Sequence, residues 1–259
     1  MAETKIKLYR CDPSTGEDGH WVEYTVEKKE GAVVLDAVNY INHNIDPSLA
    51  VRWNCKAARC GSCAAEINGV PRLMCKTRID GLGDNISVGP MRAFPLIKDL
   101  VTDVSSNYEI EKRITPFTPK KAEEPWVINE IDVTRSQEFR KCIECFLCMD
   151  VCHVIRDHST NYIGPRHVVK VASLDMHPMD AVDRSKELKE SSGLGYCDVT
   201  KCCQEVCPEH IKITDNAIIP EKERAADKFY DPIISGIMKL RHGKNSKEGK
   251  ENGSEQASK

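Results

Sequence analysis

Twelve of the thirteen cysteines fall in three groups, and their spacing is the feature of this sequence with the clearest chemistry. The groups are Cys55, Cys60, Cys63 and Cys75; Cys142, Cys145, Cys148 and Cys152; and Cys197, Cys202, Cys203 and Cys207. Thiolates at such short intervals are typical of metal or iron–sulfur ligation. We do not expect a disulfide framework, because such scaffolds are usually short secreted chains and MAETKIKLYR shows no apolar signal region.

The first group, CKAARCGSC followed by Cys75, has the spacing C-x4-C-x2-C…C of plant-type [2Fe–2S] proteins. Two irons bridged by two sulfides need four terminal thiolates, and the loop that carries three of them must bring its backbone close to the cluster. The loop residues Ala57, Ala58, Gly61 and Ser62 are small enough to allow this approach. The alternative is a structural zinc site, although zinc sites usually show paired C-x2-C knuckles.

The second group has the spacing C-x2-C-x2-C-x3-C, which is the run of bacterial-type ferredoxins. In two-cluster ferredoxins the fourth cysteine of each run binds the other cluster. Aligning Cys207-Pro208 as the end of a second run brings Cys203 and Cys197 into register. Thr200 then stands where the remaining cysteine should be, and Cys202 is one residue out of register.

This register predicts two clusters of different nuclearity. The predicted [4Fe–4S] ligands are Cys142, Cys145, Cys148 and Cys207. The other site has the three thiolates of Cys152, Cys197 and Cys203, and an iron without a protein ligand is easily lost, which predicts [3Fe–4S]. The alternative, eight unrelated buried or zinc-bound thiols, would have to produce this register by chance.

Composition and motifs favour a relay of single electrons over other functions. The net charge of -3 does not suit a nucleic-acid partner, and no apolar run is long enough to span a bilayer. The nearest nucleotide-binding candidate, GLGDN at residues 81–85, lacks the third glycine and the βαβ context. No catalytic residues are predicted, and a relay without its own donor or acceptor site requires partners at both ends.

The elements that must position the first group are predicted as a small α/β unit. KIKLYR and WVEYTV alternate as strands around the turn residues DPSTGEDGH, and VVLDAVNYINHNI has helical spacing. AAEINGVPRLM predicts a hairpin with a type I′ turn at Asn68-Gly69, which would bring Cys75 towards the loop. Another helical period runs from Ile97 to Ile110.

Four segments follow from these patterns. Residues 1–112 are predicted as the [2Fe–2S] domain, 113–125 as a proline- and charge-rich linker, and 126–242 as a helical domain for the other clusters. Residues 243–259 have almost no apolar side chain and are predicted to be disordered. Arg166 and His167, which open a helical stretch after Gly164-Pro165, are interpreted as a docking surface.

The order of the three groups resembles the iron–sulfur subunit of succinate dehydrogenase and quinol:fumarate reductase, over about residues 5 to 235 and at all eleven ligand positions. The resemblance implies an α+β protein. Its N-terminal part would be a plant-type ferredoxin (β-grasp) domain, and its C-terminal part an all-α dicluster ferredoxin-like domain.

The resemblance also implies partners. An FAD-containing flavoprotein subunit would face the [2Fe–2S] cluster, and a membrane anchor or cytochrome b subunit, with or without haem, would face the [3Fe–4S] cluster and the quinone. The chain would lie on the cytoplasmic face of the bacterial inner membrane, held there by these subunits. The alternatives are the same role in a quinol:fumarate reductase, or in a soluble fumarate or heterodisulfide-type reductase.

The quinone site departs from the family pattern. Ubiquinone-reducing relatives have proline after the cysteine matching Cys152, histidine after the one matching Cys197, and a nearby tryptophan. This sequence has His153, Asp198 and Arg156-Asp157 at those places, which looks more like menaquinone-linked versions. His153 and Asp198 are the candidate quinone residues, and the alternative for His153 is a hydrogen bond to cluster sulfur.

Overall fold

The computed structural model describes residues 3–16, 18–120, 127–158, 161–233 and 236. The N-terminal half contains a mixed five-stranded sheet in the spatial order β2-β1-β5-β3-β4. Its strands are β1 (Glu3–Arg10), β2 (His20–Glu27), β3 (Ala64–Ile67), β4 (Val70–Leu73) and β5 (Asn85–Gly89). Strands β1 and β5 run parallel, and the other neighbouring pairs are antiparallel.

The core of this half forms where the sheet meets helix α1 (Val34–Asn44). In β1 the side chains alternate, so that Ile6 and Leu8 are fully buried while Lys5 and Lys7 are exposed. Helix α1 contributes residues at helical spacing, among them Val34, Val38 and Ile41, which are also fully buried. The predicted first hairpin and helix are therefore confirmed.

The predicted turn at Asn68-Gly69 is also confirmed. Both residues have positive φ, at 51° and 76°, as a type I′ turn requires. The antiparallel pairing of β3 with β4 brings the end of the hairpin back to its start, and the Met74 N–H donates to the Cys63 carbonyl at 3.0 Å. This pairing carries Cys75 to the loop that holds the other three cysteines of the first group.

The helix predicted from Ile97 to Ile110 is wrong in its first part. Residues 96–102 form a short antiparallel pair, β6 (Leu96–Lys98) and β7 (Val101–Thr102), and helix α2 occupies Ser105–Arg113. Asp99 turns the chain between the strands with φ of 48°. Its buried carboxylate accepts hydrogen bonds from Arg10 and from the backbone N–H groups of Cys11 and Ala50, so partners far away in sequence override the local helical pattern.

The C-terminal half is helical, and no strand occurs between residues 127 and 233 where the structure describes the chain. Its helices are α3 (Glu130–Gln137), α4 (Leu147–Asp150), α5 (His153–His158), α6 (Pro165–Asp175), α7 (Ser185–Glu190), α8 (Cys202–Glu205) and α9 (Ile219–Tyr230). Residues 213–218 form a π-helical turn before α9. The predicted α+β class, with strands in the first half and helices in the second, is confirmed.

The segment after α2 is attached to the helical half. The fully buried Arg184 donates to the carbonyls of Thr115 and Pro116, and Pro119 forms an isolated bridge with Asp180. The domain limits at 112 and 126 remain predictions, because the linker is only partly described. The tail predicted to be disordered, residues 243–259, lies outside the described residues.

A buried pair of carboxyl groups joins α6 to α9. Glu221 is 0% exposed, and its carboxyl group lies close to that of Asp175. Burial raises the pKa of Glu221 to about 8, and the negative charge of Asp175 contributes in the same direction. The positive charges of Arg224 and Arg135 oppose this shift only in part.

Glu221→Gln should therefore stabilise the protein in a pH-dependent way. Folded wild-type protein keeps the Glu221 proton up to a pH near 8, whereas an ordinary glutamate loses it near 4.5, so wild-type stability falls as the pH rises through this window. The variant does not titrate, and we expect its advantage to grow to about 1–3 kcal/mol by pH 9. Thermal midpoints measured from pH 6 to 9 would show it. The control is Glu223→Gln at an exposed position of the same helix, and parallel curves for Glu221→Gln and wild type would contradict the prediction.

Candidate iron–sulfur sites

The loop with the first cysteine group directs backbone N–H groups at thiol sulfurs. The Ala57 and Arg59 N–H groups each lie 3.3 Å from Cys55 Sγ, and the Ala58 N–H lies 3.3 Å from Cys75 Sγ. Lys56 and Ala58 have positive φ, at 54° and 53°, which turns successive N–H groups towards the same side of the loop. Such donors stabilise negative sulfur, so the loop is built for thiolates.

The thiols of this group differ in acidity. Burial raises the pKa of the Cys63 thiol to about 12. Burial acts in the same direction at Cys60, but hydrogen bonds from Ser62 and Cys55 outweigh it and lower the pKa of Cys60 to about 6. Cys60 is therefore more acidic than the buried Cys63, and a buried thiol releases its proton as a metal binds.

Four cysteines surround a pocket in the helical half. Cys142, Cys145 and Cys148 come from the second group, and Cys207 comes from the third. Apolar side chains close the pocket around these sulfurs: Ile143, Phe146, Val169, Ile211 and Ile213. Burial raises the pKa of Cys145 to about 12, so this thiol needs a metal to become a thiolate. Cys152 does not line this pocket.

Cys152 lies instead with the remaining cysteines of the third group. Burial raises the pKa of the Cys203 thiol to about 12, and the thiolates of Cys202, Cys197 and Cys152 add to the shift. These four sulfurs are thus close enough to repel one another as thiolates. Cys202, which no sequence pattern assigned to a site, accepts a hydrogen bond from the Thr200 hydroxyl at 3.4 Å.

The second and third groups share one backbone conformation. Glu144 and Phe146 have φ of 57° and 60°, and Val199 and Lys201 have φ of 63° and 65°. Each pair stands two and four residues after the first cysteine of its run, and α4 and α8 begin directly after Phe146 and Lys201. Thr200 therefore occupies the same place in this repeated conformation as Cys145.

The loop of the first group touches the second group directly. A Cβ atom added to Gly61 would lie 2.7 Å from Cys145 Cα, and Gly61 has φ of 69°. Beside this contact the Lys76 amine donates to the Pro208 carbonyl at 2.6 Å. The first cysteine loop and the second cysteine group are thus in direct backbone contact.

These arrangements fit iron–sulfur clusters. Among the described residues, no three His, Cys, Asp or Glu side chains are placed to hold one metal ion. The donors consist entirely of thiols, N–H groups point at sulfur in the first loop, and four thiols surround one pocket in the helical half. The thiol donors, the N–H groups and the four-cysteine pocket all suit clusters, which need thiolates around several irons.

The two candidate quinone residues lie together. His153 Nε2 is 2.9 Å from Asp198 Oδ2, and the two side chains are 45% and 58% exposed. His153 follows Cys152 and Asp198 follows Cys197, so the pair lies at the surface beside the three-cysteine site. The aspartate can hold the ring in one orientation by accepting a hydrogen bond from it.

Arg166 and His167 do not form a docking surface, because both are buried. Arg166 pairs with Glu111 and Glu144, and both ring nitrogens of His167 lie within hydrogen-bond distance of backbone carbonyls. The helical pattern after Gly164-Pro165 did not show which face of α6 points inwards. Sequence reasoning also missed Tyr162 and Thr214, which lie beside the three-cysteine site without any motif of their own.

Comparison with known proteins agrees with this geometry. Residues 5–109 match the family described as 2Fe-2S iron-sulfur cluster binding domain, and residues 138–211 match the 4Fe-4S dicluster domain. A chain of the Mycobacterium smegmatis Sdh1 complex in the apo form superposes with a TM-score of 0.85 at 55% identity, covering 89% of this chain and 98% of that one.

Curated relatives include the fumarate reductase iron-sulfur subunit of Mycobacterium tuberculosis (strain CDC 1551 / Oshkosh), which is 32% identical over 82% of this chain and 88% of its own length. One subunit of the fumarate reductase (CoM/CoB) from Methanothermobacter marburgensis is 33% identical over 85% of this chain. This chain spans only 43% of that longer protein.

A mixed-sheet 2Fe-2S domain followed by a helical dicluster domain defines an iron–sulfur electron-transfer protein. The chain belongs to the iron–sulfur subunits of succinate dehydrogenase and fumarate reductase. Such subunits belong to oxidoreductase complexes. Within the residues that the structure describes, no helix is long and apolar enough to cross a membrane.

Proposed function

We propose that this chain relays single electrons from a flavoprotein to quinone in a membrane-bound succinate:quinone oxidoreductase. The observation that carries the proposal is the direct packing of the first cysteine loop against the second group at Gly61 and Cys145. The thiols of the second group also lie within electrostatic reach of Cys203 in the third, since Cys203 contributes to the raised pKa of Cys148. These contacts support a relay through three adjacent clusters.

In the proposed ligand sets, the last cysteine of each run binds the cluster of the other run. Two observations support this arrangement. Cys207 lines one pocket together with three cysteines of the second group, and Cys152 lies near Cys197 and Cys203. The ligand sets are Cys55, Cys60, Cys63 and Cys75 for [2Fe–2S]; Cys142, Cys145, Cys148 and Cys207 for [4Fe–4S]; and Cys152, Cys197 and Cys203 for [3Fe–4S]. When bound, the clusters accept and release one electron each, while the chain holds them in order and screens them from water.

The partners are proposed from the family. An FAD subunit would dock at the first loop. Arg59 is exposed there, 4.0 Å from Glu209, and the Lys56 ammonium lies over the half-exposed Trp53 ring. A membrane anchor and the quinone would lie at the opposite end, at His153 and Asp198. We favour menaquinone, attachment through these subunits, and the cytoplasmic face of the bacterial inner membrane.

The direction proposed is succinate oxidation, because the Sdh1 chain shares 55% identity with this one. Fumarate reduction is the second candidate, since the curated relatives named above are fumarate reductase subunits at 32–33% identity. The same relay serves both directions, and the potentials of the quinone and of the partner cofactors decide between them.

Metal analysis and electron paramagnetic resonance of the anaerobically purified native complex test the proposal. We expect about nine irons in this chain, beyond any haem iron of the partners, and an odd-electron [3Fe–4S] signal in the oxidised state. Cys203→Ser should abolish that signal, because it removes one of three thiolates. Cys202→Ser is the matched control and should keep it. Zinc at about three atoms per chain, or loss of the signal in the Cys202 variant alone, would contradict the assignment.

A further inference from the structure

The three-cysteine site has a buried phenol beside it that no ligand pattern assigned. Tyr162 is 3% exposed, and its enclosed hydroxyl makes no hydrogen bond of normal geometry among the described residues, although the Cys197 side chain lies close enough to act on it as a hydrogen-bonding group. Burying a hydroxyl without a partner costs free energy. A core position therefore favours phenylalanine unless a neighbouring group accepts a hydrogen bond from the hydroxyl.

Packing holds Tyr162 against the chain that leads into Cys197. The Ile163 N–H donates to the Ser192 carbonyl at 2.9 Å, and a Cβ atom added to Gly193 would lie 2.9 Å from Tyr162 Cα. A short 3₁₀ turn, Leu194–Tyr196, then connects Gly193 to Cys197. The phenol thus sits next to a segment that ends at a proposed cluster ligand.

The electrostatics of the phenol show what surrounds it. Burial raises the pKa of Tyr162 well above its ordinary value, and the thiolates of Cys197, Cys152 and Cys203 contribute in the same direction. These are the three cysteines of the proposed [3Fe–4S] site. The phenol O–H is a hydrogen-bond donor, and the sulfurs of these cysteines are acceptors.

We propose that the Tyr162 hydroxyl donates a hydrogen bond to a sulfur of the [3Fe–4S] cluster and raises its reduction potential. The inference rests on the proposed function, which supplies the cluster. On reduction the cluster gains one electron and one negative charge, and the donated hydrogen bond stabilises the reduced form more than the oxidised form. No proton leaves Tyr162. A higher potential at the last station draws electrons from the preceding cluster.

Tyr162→Phe in the native complex tests the proposal, because it removes the hydroxyl and keeps the ring. A redox titration of the oxidised [3Fe–4S] signal should show a lower potential, with the reduction equilibrium shifted about tenfold, or about 59 mV for one electron. Thr214→Val serves as a comparison, since the Thr214 hydroxyl lies 3.4 Å from Cys203 Sγ and its loss should also lower the potential. Tyr196→Phe is the matched control, because Tyr196 stands next to Cys197 but is 55% exposed, and its variant should titrate like wild type.

A potential unchanged in Tyr162→Phe while Thr214→Val shifts would overturn the inference and leave the proposed function intact. Absence of the [3Fe–4S] signal from wild-type protein would instead overturn the proposed function and the inference with it. If Tyr162→Phe fails to assemble the cluster, a redox titration of the Tyr196→Phe protein that contains 3-fluorotyrosine decides. Fluorine on the ring makes the phenol O–H a stronger hydrogen-bond donor, so a raised potential supports the inference and an unchanged potential overturns it.

Discussion

Thr200→Cys is expected to convert the third cluster from [3Fe–4S] to [4Fe–4S]. Thr200 occupies the place in its run that Cys145 has in the other, with the same pair of left-handed residues around it. A threonine hydroxyl is a poor iron ligand beside thiolates, whereas a cysteine there would supply the fourth one. The odd-electron signal of the oxidised protein should disappear, because [4Fe–4S]²⁺ is silent.

The conversion should also slow electron delivery to quinone. A [4Fe–4S] cluster at this station is expected to have a lower potential, and each lowering by about 59 mV disfavours its reduction tenfold. Thr200→Ser is the matched control, since it keeps a hydroxyl and should keep the [3Fe–4S] signal. An unchanged signal in Thr200→Cys would show that position 200 does not face the vacant corner, and the proposed register would then be wrong.

Gly61→Ala is expected to separate the first cysteine loop from the second group. The new methyl group would lie 2.7 Å from Cys145 Cα, and this backbone atom cannot move aside as a side-chain end could. The residue would also keep a left-handed conformation, with φ of 69°, that alanine disfavours. We expect a loss of about 3 kcal/mol or more in the free energy of unfolding.

Internal electron transfer should slow in the same variant, because tunnelling between clusters weakens steeply with distance. Thermal midpoints and the rate at which the [4Fe–4S] cluster is oxidised or reduced from the [2Fe–2S] side measure the two effects. The matched control is Gly69→Ala, since Gly69 has φ of 76° but nothing within 4 Å of an added Cβ. Its free energy of unfolding should fall by about 1–2 kcal/mol, the cost of the left-handed conformation alone, and its electron-transfer rate should stay at the wild-type value. Equal losses in both variants would contradict the close contact.

The failures of sequence reasoning share a physical cause. The segment from Ile97 has a local helical period, but Asp99 binds Arg10 and two backbone N–H groups from distant parts of the chain. Arg166 and His167 look like surface residues by type, yet acidic side chains and backbone carbonyls enclose them. Contacts between residues far apart in sequence decided both cases, and no pattern within a short window encodes them.

The sequence by itself determined the class of protein, the α+β fold and the family. This was possible because a cluster is held by short loops, so that cysteine spacing, small residues and the turn at Asn68-Gly69 encode the local geometry directly. The tertiary structure alone decided how these loops meet. It placed Gly61 against Cys145, His153 beside Asp198 and Tyr162 among three thiols, because packing of whole elements sets such distances.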